Sequence, residues 1–155
     1  MATIELIERE NRSMNGNAEL LNFIYQNSQM GVATIDKLKE IVEDANFKEY
    51  LESQYNEYKL IHDESKKLLN EHGYDEKGIS TLEKVRTYLM LNMQTMVDKS
   101  SSHVAEMLIV GSNMGIINAI KNLKKYSKAE ANIISLMERL LRFEENNVQQ
   151  LKKFL

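Results

Sequence analysis

The chain has 155 residues, of which 43% are hydrophobic and 28% charged, and this composition predicts one globular domain with a single core. Its formal net charge is −3, with basic residues scattered among acidic ones, so the sequence has no basic patch of the kind that binds nucleic acid. There are no cysteines, which excludes disulfides and thiolate chemistry, and no prolines, which favours long uninterrupted helices.

The first half of the chain predicts an extension followed by two long helices. Residues 1–15 mix charges and lack a sustained apolar segment, so we predict an N-terminal extension rather than a signal peptide. A stripe with steps of three and four then runs from Gly16 to Asp44 and predicts the first helix. A second stripe predicts a helix from Phe47 that ends at Gly73. The apolar and small positions of the first stripe are Leu21, Ile24, Ser28, Gly31, Ile35, Leu38 and Val42.

The second half predicts a shorter helix followed by two more long ones. The segment GYDEKGI predicts a loop, and the capping-box spacing that starts at Ser80 predicts a helix to about Val97. The serines before residue 103 can cap a helix over 102–126, which contains the stretch AEMLIVGSNMGII. A second capping-box spacing, from Ser127 to Glu130, precedes the last helix, which extends to about residue 154. No segment predicts a strand.

The most apolar segment, residues 104–123, does not have the composition of a membrane span. It carries Glu106, Lys121 and three asparagines, and such polar groups are costly in the hydrocarbon region. We therefore predict a soluble, cytoplasmic protein with neither a membrane nor a nucleic acid as its partner. The lack of cysteine fits a reducing compartment.

The helix lengths predict an all-α fold, with a four-helix bundle in a single domain over residues 1–155. A helix of about 25 residues is roughly 37 Å long, a normal length for a bundle helix. The shorter helix, around residues 80–98, can return the chain along the bundle, so that two antiparallel hairpins are joined by a helical crossover. This is the ferritin-like plan.

Four phrases of the chain resemble small uncharacterised ferritin-like proteins of Gram-positive bacteria. They are IYQNSQMGVATIDKL, YNEYKLIHDE, VAEMLIVGSNMGII and RLLRFEENNVQQLKKFL. The resemblance implies the ferritin-like fold. It implies no activity, because none is assigned to that group.

The residues that a ferritin-like di-iron centre requires are missing from the sequence. Such a centre takes inward carboxylates from all four helices and a Glu-x-x-His motif on two of them, and no Glu-x-x-His occurs here. Only the last helix has an acid on its inward stripe at mid-height, Glu144. We therefore predict no cofactor and no di-iron site. The alternative is an irregular site for iron or another transition metal formed by Glu144 and His62, and His103 with Glu106 is a further candidate pair of ligands.

Glu144 also has two structural interpretations. Its carboxyl is either buried and hydrogen-bonded to Tyr58 or His62, or it lies at the rim of a slightly rotated helix. Inward positions of the other helices predict a polar core layer of Gln54, Tyr58 and Asn113.

Three glycines at helix-interior positions predict close helix packing. Gly111 and Gly115 are four residues apart on one helix face, and each costs roughly 1 kcal/mol relative to alanine. Gly31, at mid-height of the first helix, is their expected partner. We predict a close contact between the first and third bundle helices there, or a face for self-association.

These features favour a non-enzymatic structural or protein-interaction role, with self-association as one form of it. No nucleophile elbow, catalytic triad or phosphate-binding loop is present, so no catalytic residue is assigned. The alternatives are a metal-binding protein for iron storage or oxidation–reduction, and a spore-coat-like component suggested by likeness of fold alone.

Overall fold

The computed structural model describes residues 3–5 and 15–155, and every regular element in these residues is helical. The all-α fold class predicted from the sequence is therefore confirmed for the described residues, whereas most of the predicted extension over 1–15 lies outside them. The bounds of the long helices are α1 Asn17–Ile41, α2 Ala45–His72, α3 Ser80–Gln94, α4 Ser101–Lys125 and α5 Ala131–Leu151, with a 3₁₀ turn at Lys152–Phe154.

Local sequence sets several of the helix ends. The Asp44 side chain caps α2 by accepting a hydrogen bond of 2.8 Å from the Phe47 amide. Gly73 follows α2 in the left-handed conformation, with φ of 68°, which confirms the predicted end of this helix. Ser100 caps α4 by accepting a hydrogen bond of 3.3 Å from the His103 amide, so a serine begins this helix as expected.

Both predicted capping boxes are wrong. Ser80 is already the first residue of α3, and no side chain caps that helix. Ser127 does not cap α5, which begins at Ala131. The Glu130 amide at the start of α5 instead donates a hydrogen bond of 2.8 Å to Asn17 Oδ1. A distant residue at the start of α1 therefore replaces the local serine cap.

The four longest helices, α1, α2, α4 and α5, form two antiparallel hairpins that pack against each other. Within the α1–α2 hairpin, Lys39 contacts Glu52 near the turn and Ser28 contacts His62 farther along. The helices α4 and α5 are joined by the short connection over residues 126–130 and also pack against each other. Between the hairpins, contacts join α1 to α4 and α5, and α2 to α5. The interior between the hairpins is therefore where all four helices meet.

The core is filled mainly by leucine, isoleucine, phenylalanine and methionine side chains. Complete burial of one such side chain contributes about 1.5–3 kcal/mol to stability. The largest fully buried side chains are Phe23, Phe47, Leu20, Leu21, Ile24, Leu38, Leu51, Ile61, Leu69, Met107, Ile133 and Met137.

The connection between the hairpins contains α3, which packs against α1 and α4. The helix α3 ends at Gln94, a few residues before its predicted end. The loop before α3 is held by the buried side chain of Asn22, whose Oδ1 accepts from the Lys77 amide at 2.6 Å and whose Nδ2 donates to the Asp75 carbonyl at 3.2 Å. These contacts fix the start of the connection on α1. The buried residues of α3 are Leu82, Val85 and Leu89.

Candidate functional site

The candidate site is a buried polar layer around Glu144, where α1, α2, α4 and α5 meet. Glu144 lies on α5 and is only 3% exposed, which excludes the rim position considered from the sequence. Asn27 of α1 donates a hydrogen bond of 2.6 Å from Nδ2 to Glu144 Oε1, and the Tyr58 hydroxyl of α2 donates to Oε2 at 3.4 Å. Each carboxyl oxygen thus has a donor, and the two donors come from the two helices of the first hairpin.

Burial dominates the electrostatics of this layer. Removal from water raises the pKa of the Glu144 carboxyl from its ordinary value of 4.5 to about 7, although the hydrogen bonds from Asn27 and Tyr58 lower it. Burial, together with the negative charge of Glu144, raises the pKa of the Tyr58 hydroxyl well above its ordinary value. Tyr58 therefore remains a donor at neutral pH, whereas Glu144 changes its protonation state there.

Glycines on α1 and α4 make room for the layer. A Cβ atom on Gly31 would lie 2.7 Å from Tyr58 Cδ1, closer than side-chain atoms approach, so glycine lets the Tyr58 ring contact the backbone of α1. A Cβ atom on Gly115 would lie 3.4 Å from Glu144 Oε2 and 3.6 Å from Asn27 Nδ2, which is ordinary contact. Gly31 is therefore the more strictly required of the two.

The three glycines do not pack against one another as the sequence analysis predicted. Although α1 contacts α4, the α1 residue nearest to Gly115 is Asn27 and not Gly31. A Cβ atom on Gly111 would meet Leu89 Cδ2 of α3 at 2.9 Å. The physical reason is that each glycine accommodates a side chain from a neighbouring helix, so the helix backbones need not touch.

Further polar side chains extend the layer along α2 and α5. The Tyr50 hydroxyl donates a hydrogen bond of 3.0 Å to Asn147 Oδ1. Gln54, one turn along α2 from Tyr50, is buried. Asn113, which the sequence analysis placed in this layer, is instead exposed. It is two residues from Gly115, which turns it about 200° around the helix and away from the interior.

A cavity of about 30 Å³ adjoins Glu144 and is lined by residues of all five helices. This volume suits about one or two water molecules and is too small for an organic cofactor. Gln54 lines the cavity, and its buried Nε2 has no hydrogen-bond acceptor in the part of the chain that the structure describes. A water molecule in the cavity would find a hydrogen-bond donor in this amide.

The histidines that the sequence analysis singled out have other surroundings. His62 Nδ1 lies 3.3 Å from both Ser28 Oγ and the Tyr25 carbonyl oxygen, and the His62 ring packs on that of Tyr25 at 4.5 Å. His62 is thus held beside α1 and is not hydrogen-bonded to Glu144. At the start of α4, His103 is half-buried and Glu106 is exposed. Across residues 3–5 and 15–155, no three histidine, aspartate or glutamate side chains are grouped to hold a metal ion.

A second ionisable contact lies at the end of α2. His72 Nδ1 is 2.8 Å from the Leu68 carbonyl oxygen, and His72 Nε2 is 2.9 Å from Glu130 Oε2. Both partners are acceptors, so an imidazolium, which carries a proton on each ring nitrogen, can donate to both of them. Burial lowers the His72 pKa, but the bonds to Glu130 and Leu68 outweigh it and the pKa is raised. His72 therefore ties the end of α2 to the start of α5, and its protonated form is favoured by both contacts.

The chemistry available to the polar layer is limited. Metal sites in proteins usually take three or more protein ligands, and here one carboxyl is surrounded by groups that donate hydrogen bonds to it. Comparison of the chain with protein-family models, with characterised proteins and with solved structures gives no match.

Proposed function

We propose that this protein is a ferritin-like four-helix bundle without a di-iron centre, and that it acts through protein contacts on its surface. Two antiparallel hairpins connected through α3 support the ferritin-like plan. The composition of the polar layer supports the loss of the metal centre. At the level where a di-iron bundle needs carboxylates, α1, α2 and α4 contribute Asn27, Tyr58 and Gly115, and α5 contributes Glu144.

The observation that carries the interaction role is an apolar stripe on the outer face of α4. Val110, Ile117 and Ile120 are 39%, 54% and 37% exposed, and the half-buried Met114 lies between them. Positions three and four apart share one face of a helix, so these side chains lie along one side of α4, where the exposed Asn113 also lies; we call the four apolar residues the α4 stripe. Exposed strips of this kind mark surfaces that bind other molecules.

The composition of α4 as a whole fits this interpretation. Although its polar residues argued against a membrane span in the sequence, α4 alone among the described helices is long and apolar enough to cross a membrane by length and composition, and only 39% of its most apolar segment is buried in the fold. A helix that serves only to fill a core on one side would be polar on the other side. The outer side of α4 carries exposed apolar residues beside Glu106, Asn113 and Lys121, and we propose that its partner is a protein.

Leu60 of α2 shows what an ordinary exposed apolar residue looks like in this fold. It is 57% exposed, but its neighbours at helical spacing are Glu57, Asp63 and Glu64. Isolated apolar side chains on a polar surface are common and indicate no partner. Leu60 is therefore a matched control for Ile117, because it is exposed to nearly the same degree but is surrounded by charged side chains instead of apolar ones.

The experiment compares partner retention by three purified full-length proteins: wild type, Ile117→Lys and Leu60→Lys. Each protein is immobilised and exposed to an extract of the source cells that also contains untagged copies of the same chain. Quantitative mass spectrometry then measures how much of each protein is retained. We expect Ile117→Lys to lose the partner at least tenfold, because a lysine charge would be buried at the contact. Leu60→Lys should retain it. Equal retention by wild type and Ile117→Lys would overturn the proposal.

The alternatives have less support from the geometry. An irregular metal site at Glu144 and His62 would require His62 to leave its contacts with Ser28 and Tyr25. A spore-coat-like component would use the α4 stripe for repeated assembly, and nothing in the described residues favours that over a discrete complex. The cytoplasmic location stays a prediction from the sequence.

A further inference from the structure

A groove runs along the outside of the fold between α1 and α3. It consists of two adjoining pockets of about 400 Å³ and about 290 Å³, whose walls share Lys37, Met90 and Met93. The first pocket begins at Gln26 and the second ends at Ile41, so the groove follows α1 for about 22 Å at 1.5 Å per residue. Sites for small molecules usually have volumes of about 300–1,000 Å³. This α1–α3 groove therefore has the size of a ligand site.

The middle of the α1–α3 groove and one of its ends are apolar. Met30 and Leu89 line it from the core, whereas Met90 is 41% exposed and Met93 is half-buried. Core packing therefore does not account for Met90. Methionine side chains are flexible and polarizable, so they adapt to apolar ligands of irregular shape. Walls of this kind suit a flexible hydrocarbon chain.

The other end of the groove is polar. The later lining residues of α1 meet the later lining residues of α3 in the second pocket, so the two helices run in the same direction along the groove. Arg86, the first lining residue of α3, therefore lies at the same end as Gln26 and Gln29. Arg86 donates to Glu83 from Nη1 at 2.9 Å, which leaves its other guanidinium nitrogens to donate to a ligand. Arginine binds a carboxylate through two parallel hydrogen bonds.

The charges along the groove distinguish between two classes of ligand. Thioether sulfur binds soft metal ions such as Cu(I), so the methionines alone would also suit a metal. Lys37 on the α1 wall and Arg86 on the α3 wall would repel a cation. A ligand that is both anionic and apolar uses the positive charges and the methionines together.

We propose that the α1–α3 groove binds one long-chain fatty acid, with the carboxylate at the Arg86 end and the hydrocarbon chain along the methionines. Lys37, on the opposite wall from Arg86, adds a second positive charge. Glu40 lies at the far end of the groove and would repel a carboxylate placed there, so the charges fix the direction of the ligand. The length of the groove matches that of an extended long-chain fatty acid.

The test is isothermal titration calorimetry of the full-length protein with palmitate, at concentrations below those at which it forms micelles. We expect one palmitate per chain, bound at least about tenfold more tightly than octanoate, because the burial of each further methylene favours binding. Arg86→Glu and Met90→Asp should each weaken palmitate binding at least about tenfold, since both place a negative charge against the ligand. Arg142→Glu and Leu60→Asp make the same changes at exposed positions outside the groove and should bind palmitate as wild type does.

A probe with the opposite head group tests the role of the charges. Hexadecyltrimethylammonium has the same chain length as palmitate and a cationic head, so wild type should bind it at least about tenfold more weakly than palmitate. Arg86→Glu should bind it more tightly than wild type does. Equal affinities of wild type and Arg86→Glu for palmitate would overturn the inference.

Two further outcomes separate this inference from other interpretations. Binding to vesicles of phosphatidylglycerol without saturable binding of palmitate would assign the groove to a membrane surface and overturn the inference. Ile117→Lys, which changes the α4 stripe, should bind palmitate as wild type does. The fatty-acid site and the interaction role of the α4 stripe can therefore fail separately.

Discussion

Replacement of Glu144 by glutamine should remove most of the pH dependence of stability that the polar layer creates. The amide has the shape of the carboxyl, so its oxygen can accept from Asn27 Nδ2 and its amino group can donate to the Tyr58 oxygen. Glu144→Gln therefore preserves the packing of the layer and removes only the titration. Any difference between the two proteins in how the unfolding free energy depends on pH is then caused by titration of the Glu144 carboxyl.

The magnitude follows from the pKa of Glu144 in the folded state, which is about 7 against an ordinary value of 4.5. Because the folded pKa is raised, the folded state holds this proton more tightly than the unfolded state. The resulting stabilisation is fully present below the ordinary pKa and is lost as the pH rises through about 7. At about 1.36 kcal/mol per pKa unit the complete effect is roughly 3 kcal/mol, of which roughly 2.5 kcal/mol falls between about pH 5 and pH 8.5.

The assay is urea unfolding followed by circular dichroism at several pH values over that range. Wild type should lose roughly 2.5 kcal/mol of unfolding free energy relative to Glu144→Gln as the pH rises. Glu145→Gln removes the same charge from the exposed neighbouring position and should keep the wild-type slope. If the unfolding free energies of wild type and Glu144→Gln depend on pH in the same way, the claim that Glu144 is a buried carboxyl without a cationic partner is refuted.

Three further substitutions test the contacts around the layer and at the end of α2. Gly31→Ala should cost roughly 1–3 kcal/mol of unfolding free energy, because the new Cβ displaces the Tyr58 ring. Gly115→Ala should instead raise the unfolding free energy by up to about 1 kcal/mol, because its Cβ makes ordinary contacts and alanine is the better helix former. Equal losses for the two variants in urea unfolding would contradict this difference. In wild type, deprotonation of His72 removes the charge that pairs with Glu130, so the unfolding free energy falls as the pH rises from the ordinary histidine pKa through the raised pKa of His72. His72→Gln should reduce this fall. An unchanged slope would contradict the ion pair.

Most of the helical framework could be predicted from the sequence, because its signals are local. Apolar residues at steps of three and four predicted α1 and α2, and the other three helices were also predicted to within a few residues. Gly73 and the serines around Ser100 marked two of the ends correctly. The start of α5 could not be predicted in the same way. Its Glu130 amide is satisfied by Asn17, and no local pattern reveals a partner that far along the chain.

The site was only partly predictable, because helical periodicity indicates which face is buried but not what it meets. Glu144, Gln54 and Tyr58 all lie on inward stripes, and the structure buries them. Asn27 was missed because the stripe of α1 was followed through the neighbouring Ser28, and both positions face inward. Of the two hydrogen-bond partners expected for Glu144, Tyr58 is found and His62 is not, since both were inferred from shared faces alone.

The contacts of glycine residues were the hardest to predict. A glycine in a helix indicates that something approaches closely, and the sequence does not say whether it is a backbone or a side chain. At Gly31 the approaching group is the Tyr58 ring, and at Gly111 it is Leu89. Such pairings depend on the relative rotation of the helices, which the core packing as a whole determines.

The metal content of the full-length protein, purified without chelators, tests most directly whether the molecule acts through its surface or through its interior. Elemental analysis of wild type and Glu144→Gln should give the same result, far below one transition-metal ion per chain, because a single hydrogen-bonded carboxyl cannot hold such an ion. About one or more ions per chain in wild type, lost in Glu144→Gln, would contradict the central claim that Glu144 is a structural carboxyl in a bundle that works through its outer face.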